Sequence, residues 1–184
     1  MNAPRFATAL LIVILTALPA AAFEDTCLSG DCQNGLGTLK FYTGHIYTGQ
    51  FKDGQRDGSA VLLFPDGRKL TGVWRNNEIT EGILAYPSGR RYVGQWKYRE
   101  RSGEGYLHYE DGRIYVGEFE NGRRNGYGMM VFPDGRRYLG EFHRGQRTGF
   151  GLMIHPDGRR ETGSFDDGEL AGEADEGLAE PPLP

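Results

Sequence analysis

The chain has 184 residues, of which 29 are glycine and 12% aromatic, and a formal net charge of -4. Glycine at more than twice its usual share of about 7%, with no three-residue period, excludes collagen, and the many rings exclude a disordered linker. Charge is near balance except at the C-terminal end, where Asp166, Asp167, Glu169, Glu173, Asp175, Glu176 and Glu180 gather and no Lys or Arg follows Arg160, so a dedicated nucleic-acid binder is not expected.

The N-terminal stretch carries one early cation, Arg5, then an apolar run from Phe6 to Leu18, then Pro19 and Ala20, Ala21 and Ala22. The run is short for a bilayer span, and Ala20-x-Ala22 is a small-residue cleavage pattern. Residues 1–22 therefore read as a signal helix removed on export, giving a mature chain that starts at Phe23 in a periplasm or outside the cell. Glu24, Asp25 and Thr26 before Cys27 are unlike a lipoprotein signal. In an exporting compartment Cys27 and Cys32 are expected to form a disulfide. His45, His108, His143 and His155 are scattered, so neither a metal site nor any cofactor is expected.

Beyond the leader the sequence repeats itself. Tyr47/Gly49/Phe51 recurs as Leu70/Gly72/Trp74, Tyr92/Gly94/Trp96, Tyr115/Gly117/Phe119 and Tyr138/Gly140/Phe142, at spacings of 23, 22, 23 and 23. This divides the chain into a degenerate first unit (23–46), five full units (47–69, 70–91, 92–114, 115–137 and 138–160), a partial unit (161–172) with Gly163 and Phe165, and an acidic, disordered tail (173–184). In the cleanest unit, Tyr115, Gly117 and Phe119 alternate along one strand, Asn121-Gly122 makes a two-residue turn, and Gly126, Gly128, Met130 and Phe132 alternate along the return strand. That turn pairs Tyr115 with Gly128 and Gly117 with Gly126. Pro133-Asp134-Gly135 then reverses the chain into the next unit.

One hairpin is marginal in water, so the units are expected to stack edge to edge into an all-β, single-layer, elongated antiparallel sheet. The recurring Tyr-x-Gly-x-(Trp/Phe)-x-x-Gly-x-x-x-Gly-x-Gly pattern, with Asp-Gly before the next Tyr, resembles the MORN repeat family from about Glu24 to Gly172. The resemblance implies a curved β-sheet with an aromatic-lined groove, and roles in assembly, scaffolding and phospholipid binding. Asn77 and Arg99 stand where turn glycines belong, and the unit 70–91 is one residue short. A bend or weak point is therefore expected between Trp74 and Gly105.

Three surfaces are candidates for function. Val61, Leu63, Ile83, Met129, Val131, Leu152 and Ile154 alternate with the ring positions and are expected to form an apolar back stripe that docks a protein partner or a second copy. Tyr47, Trp74, Tyr92, Trp96, Tyr115 and Tyr138 are expected to line the groove, with outer faces open to a peptide or sugar. Arg90, Arg91, Lys97, Arg99, Arg101, Arg136 and Arg137 are the candidate contacts for an anionic lipid or glycan. Cys27 and Cys32 are placed on the back face, on either side of a turn at Gly30-Asp31. No nucleophile with a base, no carboxylate pair in a cleft and no phosphate loop is found, so the expectation is a non-catalytic exported scaffold.

Overall fold

The computed structural model describes residues 24–173; the expected leader (1–22) and, apart from Glu173, the expected tail lie outside the described residues. The strands are β1 (Thr26–Gly30), β2 (Gly35–Lys40), β3 (Ile46–Lys52), β4 (Gln55–Leu63), β5 (Lys69–Arg75), β6 (Glu78–Ala85), β7 (Arg91–Lys97), β8 (Glu100–His108), β9 (Ile114–Glu120), β10 (Arg123–Val131), β11 (Arg137–His143), β12 (Gln146–Ile154), β13 (Arg160–Asp166) and β14 (Glu169–Glu173). They form one open antiparallel sheet in sequence order from β1 to β14, with no crossover. Every hydrogen-bonded neighbour is thus a sequence neighbour, and the expected ladder of hairpins is the fold.

Two kinds of turn alternate. Within a hairpin both central residues are left-handed, as at Asn121 (φ 49) and Gly122 (φ 75), which matches the twist of the flanking strands. Tyr98 and Arg99 adopt the same shape at φ 52 and 64 despite the absence of glycine. Between hairpins the Phe132 carbonyl accepts from the Gly135 N–H at 3.0 Å, and Asp134 Oδ1 accepts from the Arg136 N–H at 3.0 Å.

The expected pairing holds only near the turn. Glu120 stands opposite Arg123 and Phe119 opposite Arg124, but Gly117 then stands opposite Gly128 and Tyr115 opposite Met130. A bulge adds two residues to the return strand. Gly126 takes φ +91 there, and the Glu118 carboxylate fills the gap by accepting the Tyr127 N–H at 3.0 Å. An even shift keeps each side chain on its original face.

The core lies on the ring side, where tyrosines lying along the backbone alternate across the strands with Leu62, Leu84, Leu107, Met130 and Met153. A Cβ on Gly128 would stand 2.5–2.7 Å from the Tyr115 ring and hydroxyl. With nothing there, Tyr115 runs along the backbone and its hydroxyl donates to the Glu118 carbonyl at 2.9 Å. Tyr47, Tyr92 and Tyr138 repeat this with the carbonyls of Gln50, Gln95 and Glu141. Each such ring takes two others edge-on: Tyr115 meets Phe119 at 5.2 Å and Phe142 of the next hairpin at 4.9 Å. The zipper runs unbroken from Tyr92 to Phe165.

At the unit 70–91 three departures coincide. Leu70 replaces the tyrosine, so the zipper stops at Trp74 and resumes at Tyr92. The missing residue comes out of the bulge: Trp74 stands opposite Ile79 and Val73 opposite Glu81, leaving one extra residue, Thr80, instead of two. A backbone bond joins each hairpin turn to the preceding hairpin, as Gly122 N–H to the Arg101 carbonyl or Gly145 N–H to the Arg124 carbonyl, and this pattern skips the Ile79/Arg99 junction. Pairing between β6 and β7 nevertheless continues from Glu81/Gln95 to Ala85/Arg91.

The disulfide joins Cys27 and Cys32, but not on the back face. Cys27 stands opposite Leu39, which stands opposite Tyr47, and the Cys32 sulfur faces Gly37 on the ring side. The physical reason is twofold: a one-residue bulge at Leu28 shifts Cys27 from the Lys40 row to the Leu39 row, and β1 ends at Gly30 with the turn running through residues 31–34. Asp31 Oδ1 there accepts the Gln33 and Asn34 N–H groups, swinging Cys32 out of the strand alternation.

Three outcomes are expected. Gly128→Ala should cost about 1–3 kcal/mol in denaturant unfolding, because a methyl displaces Tyr115. Gly172→Ala, whose Cβ meets nothing within 4 Å, should stay within about 0.5 kcal/mol of the parent. In native-state hydrogen exchange, amides of the β6–β7 seam should open before those of β9–β12, although both lie inside the ladder.

Candidate functional site

The ring side is closed rather than open. Tyr47, Tyr92, Tyr115 and Tyr138 are 0% exposed and Trp74 is 2% exposed, so five of the six candidate groove residues have no free outer face. Arginines form the lid. Arg124 lies over Tyr109, Tyr115 and Phe142, and Arg147 over Phe132, Tyr138 and Phe165, at 5.2–5.8 Å from the ring centroids. Each guanidinium also donates to a carbonyl of the next hairpin turn, Arg101 to Gly122, Arg124 to Gly145 and Arg147 to Gly168. Burial lowers the pKa of Arg56, Arg101, Arg124 and Arg147, and the ring faces and turn carbonyls offset that loss of water. Arg56, Arg124 and Arg147 were not among the sequence candidates. Their signal was an arginine two residues after the turn in most hairpins, replaced by Ile79 at the seam.

Trp96 is the candidate ring that stays half-exposed. It borders a cleft of about 440 Å³ that also touches Phe41, Phe64, Trp74, Arg56 and Arg99. Its indole N–H is buried without an acceptor among the described residues.

The candidate anion contacts do not form one surface. Arg101 belongs to the lid. Arg136 is ion-paired with Asp134 at 2.7 Å and lies over Phe132; the Arg136 N–H bond to that carboxylate lowers the Asp134 pKa. Arg90 is stacked on Tyr86 and Tyr109. Lys97 and Arg99 sit at the exposed turn of the seam, Arg99 at 3.7 Å from Glu78. Arg91 and Arg137 point to the back of the sheet with the residues opposite them, Ala85 and Ile154.

That back face is the open surface. Val61 stands opposite Thr71, Thr71 opposite Ile83 and Ile83 opposite Val93, and the row continues through Tyr106, Val116, Met129 and Leu139 to Leu152. Of the expected stripe, Val61, Ile83, Met129 and Leu152 lie in this central row, while Leu63, Val131 and Ile154 lie two residues along their strands in a second row. Leu152 is 6% exposed and is covered by its neighbours, whereas Leu63 is 44%, Tyr106 36%, Val116 42% and Tyr127 53% exposed. Val93, Val116 and Leu139 lie outside the expected stripe because they sit on outgoing strands, whereas Tyr106, on the return strand β8, is a ring at a position that the other return strands fill with aliphatic residues or methionine. Among the described residues no strand lies over this face. A shallow hollow of about 820 Å³ opens over its N-terminal half, lined by Thr48, Val61, Thr71, Ile83 and Val93. Among the described residues no three His, Cys, Asp or Glu side chains come together to hold a metal ion.

The MORN repeat model matches residues 47–67, 92–112, 115–136 and 138–159, leaving out the unit with Leu70 and the short bulge. No curated protein matches the sequence. Among solved structures, the TCP domain of SAS-4 (dCPAP) of Drosophila melanogaster, in complex with a proline-rich motif of Ana2 (dSTIL), is similar at 11% identity and a TM-score of 0.46, over 84% of this chain and 99% of that one. The G-box domain of the microcephaly protein CPAP is similar at 16% identity and a TM-score of 0.35, over 77% and 93%. A mutant TCP10 domain of Danio rerio CPAP is similar at 18% identity and a TM-score of 0.33, over 71% and 72%.

The sealed tyrosines make a pH prediction. Burial pushes the Tyr47, Tyr92 and Tyr138 hydroxyls up to about 12 and raises Tyr115 as well. An unfolded tyrosine ionises near about 10, so the folded state keeps the proton longer, and this stability is complete below about pH 10 and lost as pH rises through 12. In an alkaline titration, part of the tyrosinate absorbance should appear only together with loss of the far-ultraviolet dichroism. Tyr92→Phe with Tyr138→Phe should shrink that part.

Proposed function

We propose that this chain, which belongs to the MORN repeat family, is an exported, non-catalytic scaffold that docks protein through the back of its sheet. The observation that carries this is the central row from Val61 to Leu152, apolar but for Thr71 and open in Tyr106 and Val116, on a face that no described strand covers. Monomeric proteins rarely leave so extended an apolar patch in water, and contact with another protein removes it. The ring side supports this by elimination: its aromatics are spent on the core, and its arginines on rings, carbonyls and aspartates. Export rests on the leader sequence, and a periplasm or the outside of the cell suits the Cys27–Cys32 bridge.

Binding of an anionic lipid or glycan has to use cations not already engaged, chiefly Lys69, Arg91 and Arg137. Such binding collapses with salt, whereas apolar docking tolerates it. Leu63→Ser, Val116→Ser and Val131→Ser combined should abolish apolar-dye binding and salt-resistant partner recovery from the exporting compartment, with dichroism unchanged. Trp96→Ala should leave both intact. The reverse pattern, or recovery only of anionic vesicles that salt releases, would move the function to the ring side or to the lipid.

A further inference from the structure

The back face carries charge in two separate rails. On one side of the apolar row, the row of Leu63 and Ile154 also holds Lys69, Arg91, His108 and Arg137, and no acid. On the other side, four residues along each strand, lie Glu81, Glu104, Glu118 and Glu141, and no base. A four-residue step in a strand puts the rails about 13 Å apart with the apolar row between them. Lys69, Arg91 and Arg137 make no ion pair among the described residues.

We infer that the occupant of this face is a second copy of the same chain, packed back to back about a twofold axis that runs along the ladder. This deepens the docking reading above and rests on it. The sign of the charges fixes the axis. A twofold along the ladder lays the basic rail of each copy over the acidic rail of the other and keeps strand over equivalent strand. A twofold along the strands lays like on like, which costs several kcal/mol at close range. With the axis along the ladder, Arg91 of one copy sits over Gln95 of its partner, between Glu81, which stands opposite Gln95, and Glu104 at the bulge of β8. Arg137 sits over Glu141, and the central row meets itself as an isologous seam. Sheets pack about 10 Å apart, a gap that an arginine and a glutamate span together. The strip from β2 to β13 measures roughly 53 by 13 Å, so two copies bury about 1,400 Å², within the range of stable interfaces.

Sedimentation velocity of the purified protein should show a concentration-dependent dimer that salt loosens without dissolving, because the apolar row still joins the two copies. Glu81→Arg with Glu104→Arg makes both rails basic near the hollow, and Lys69→Glu with Arg91→Glu makes both rails acidic there. Each variant alone should self-associate at least about tenfold more weakly. Mixed in equal amounts they should recover a heterodimer, which shows that both remain folded. Thr162→Cys, carrying a spin label near one end of the central row, should report a partner label at roughly 10–20 Å, whereas the opposite orientation puts the labels about 50 Å apart. A dimer indifferent to both charge variants, or one with the long label distance, overturns the arrangement. A strict monomer overturns self-association. If that monomer still binds apolar dye and loses it with the Leu63, Val116 and Val131 substitutions, the docking face stands and its partner is another protein. If it binds no dye, the docking reading fails too.

Discussion

The structure depends on one contact, a tyrosine ring lying flat on a glycine backbone. A single-layer sheet has no second layer to bury its side chains against, so apolar area has to be hidden along the sheet itself. Tyr115 does this by occupying the space that a side chain on Gly128 would need, and its hydroxyl finds an acceptor at the Glu118 carbonyl beside the bulge. Neighbouring phenylalanines then meet it edge-on from either side, and an arginine from the return strand lies over them. Bulge, turn arginine and ring zipper each follow from keeping that ring dry.

Where the tyrosine is absent, its dependants go with it. Leu70 leaves Trp96 without a ring to pack on from the preceding hairpin, Ile79 replaces the lid arginine, and the bulge contracts to Thr80. The turn at Tyr98 and Arg99 keeps its left-handed geometry, so the irregular residues there are not what sets the seam apart. The departure lies in side-chain packing and in one backbone bond between hairpins. The ladder therefore has two blocks of ring zipper joined by ordinary strand pairing.

Much of this was legible because the repeat is local. Strand order, faces and turn positions follow from a period of 23 and from side-chain alternation, and a MORN-like sheet was read from them. The pairing register was not, because the two extra residues at Gly126 are visible only once Glu118 is seen filling the gap; the faces survived because the shift is even. The groove was misjudged for a different reason. Periodicity gives the side on which a ring lies but not what lies over it, and Arg124 and Arg147 reach their rings from neighbouring strands. The charge rails were hidden in the same way. Arg91 and Glu81 are ten residues apart in sequence, and only the register shows which side of the apolar row each occupies.

The strict order from β1 to β14 also determines how the molecule bears load. Its hydrogen bonds point along the long axis, so tension between the two ends falls on one strand pair at a time, and the array peels where a shearing sheet would resist across many bonds together. The Cys27–Cys32 bridge clips shut the first hairpin at one end, so under such a pull unravelling begins at the opposite end or at the seam.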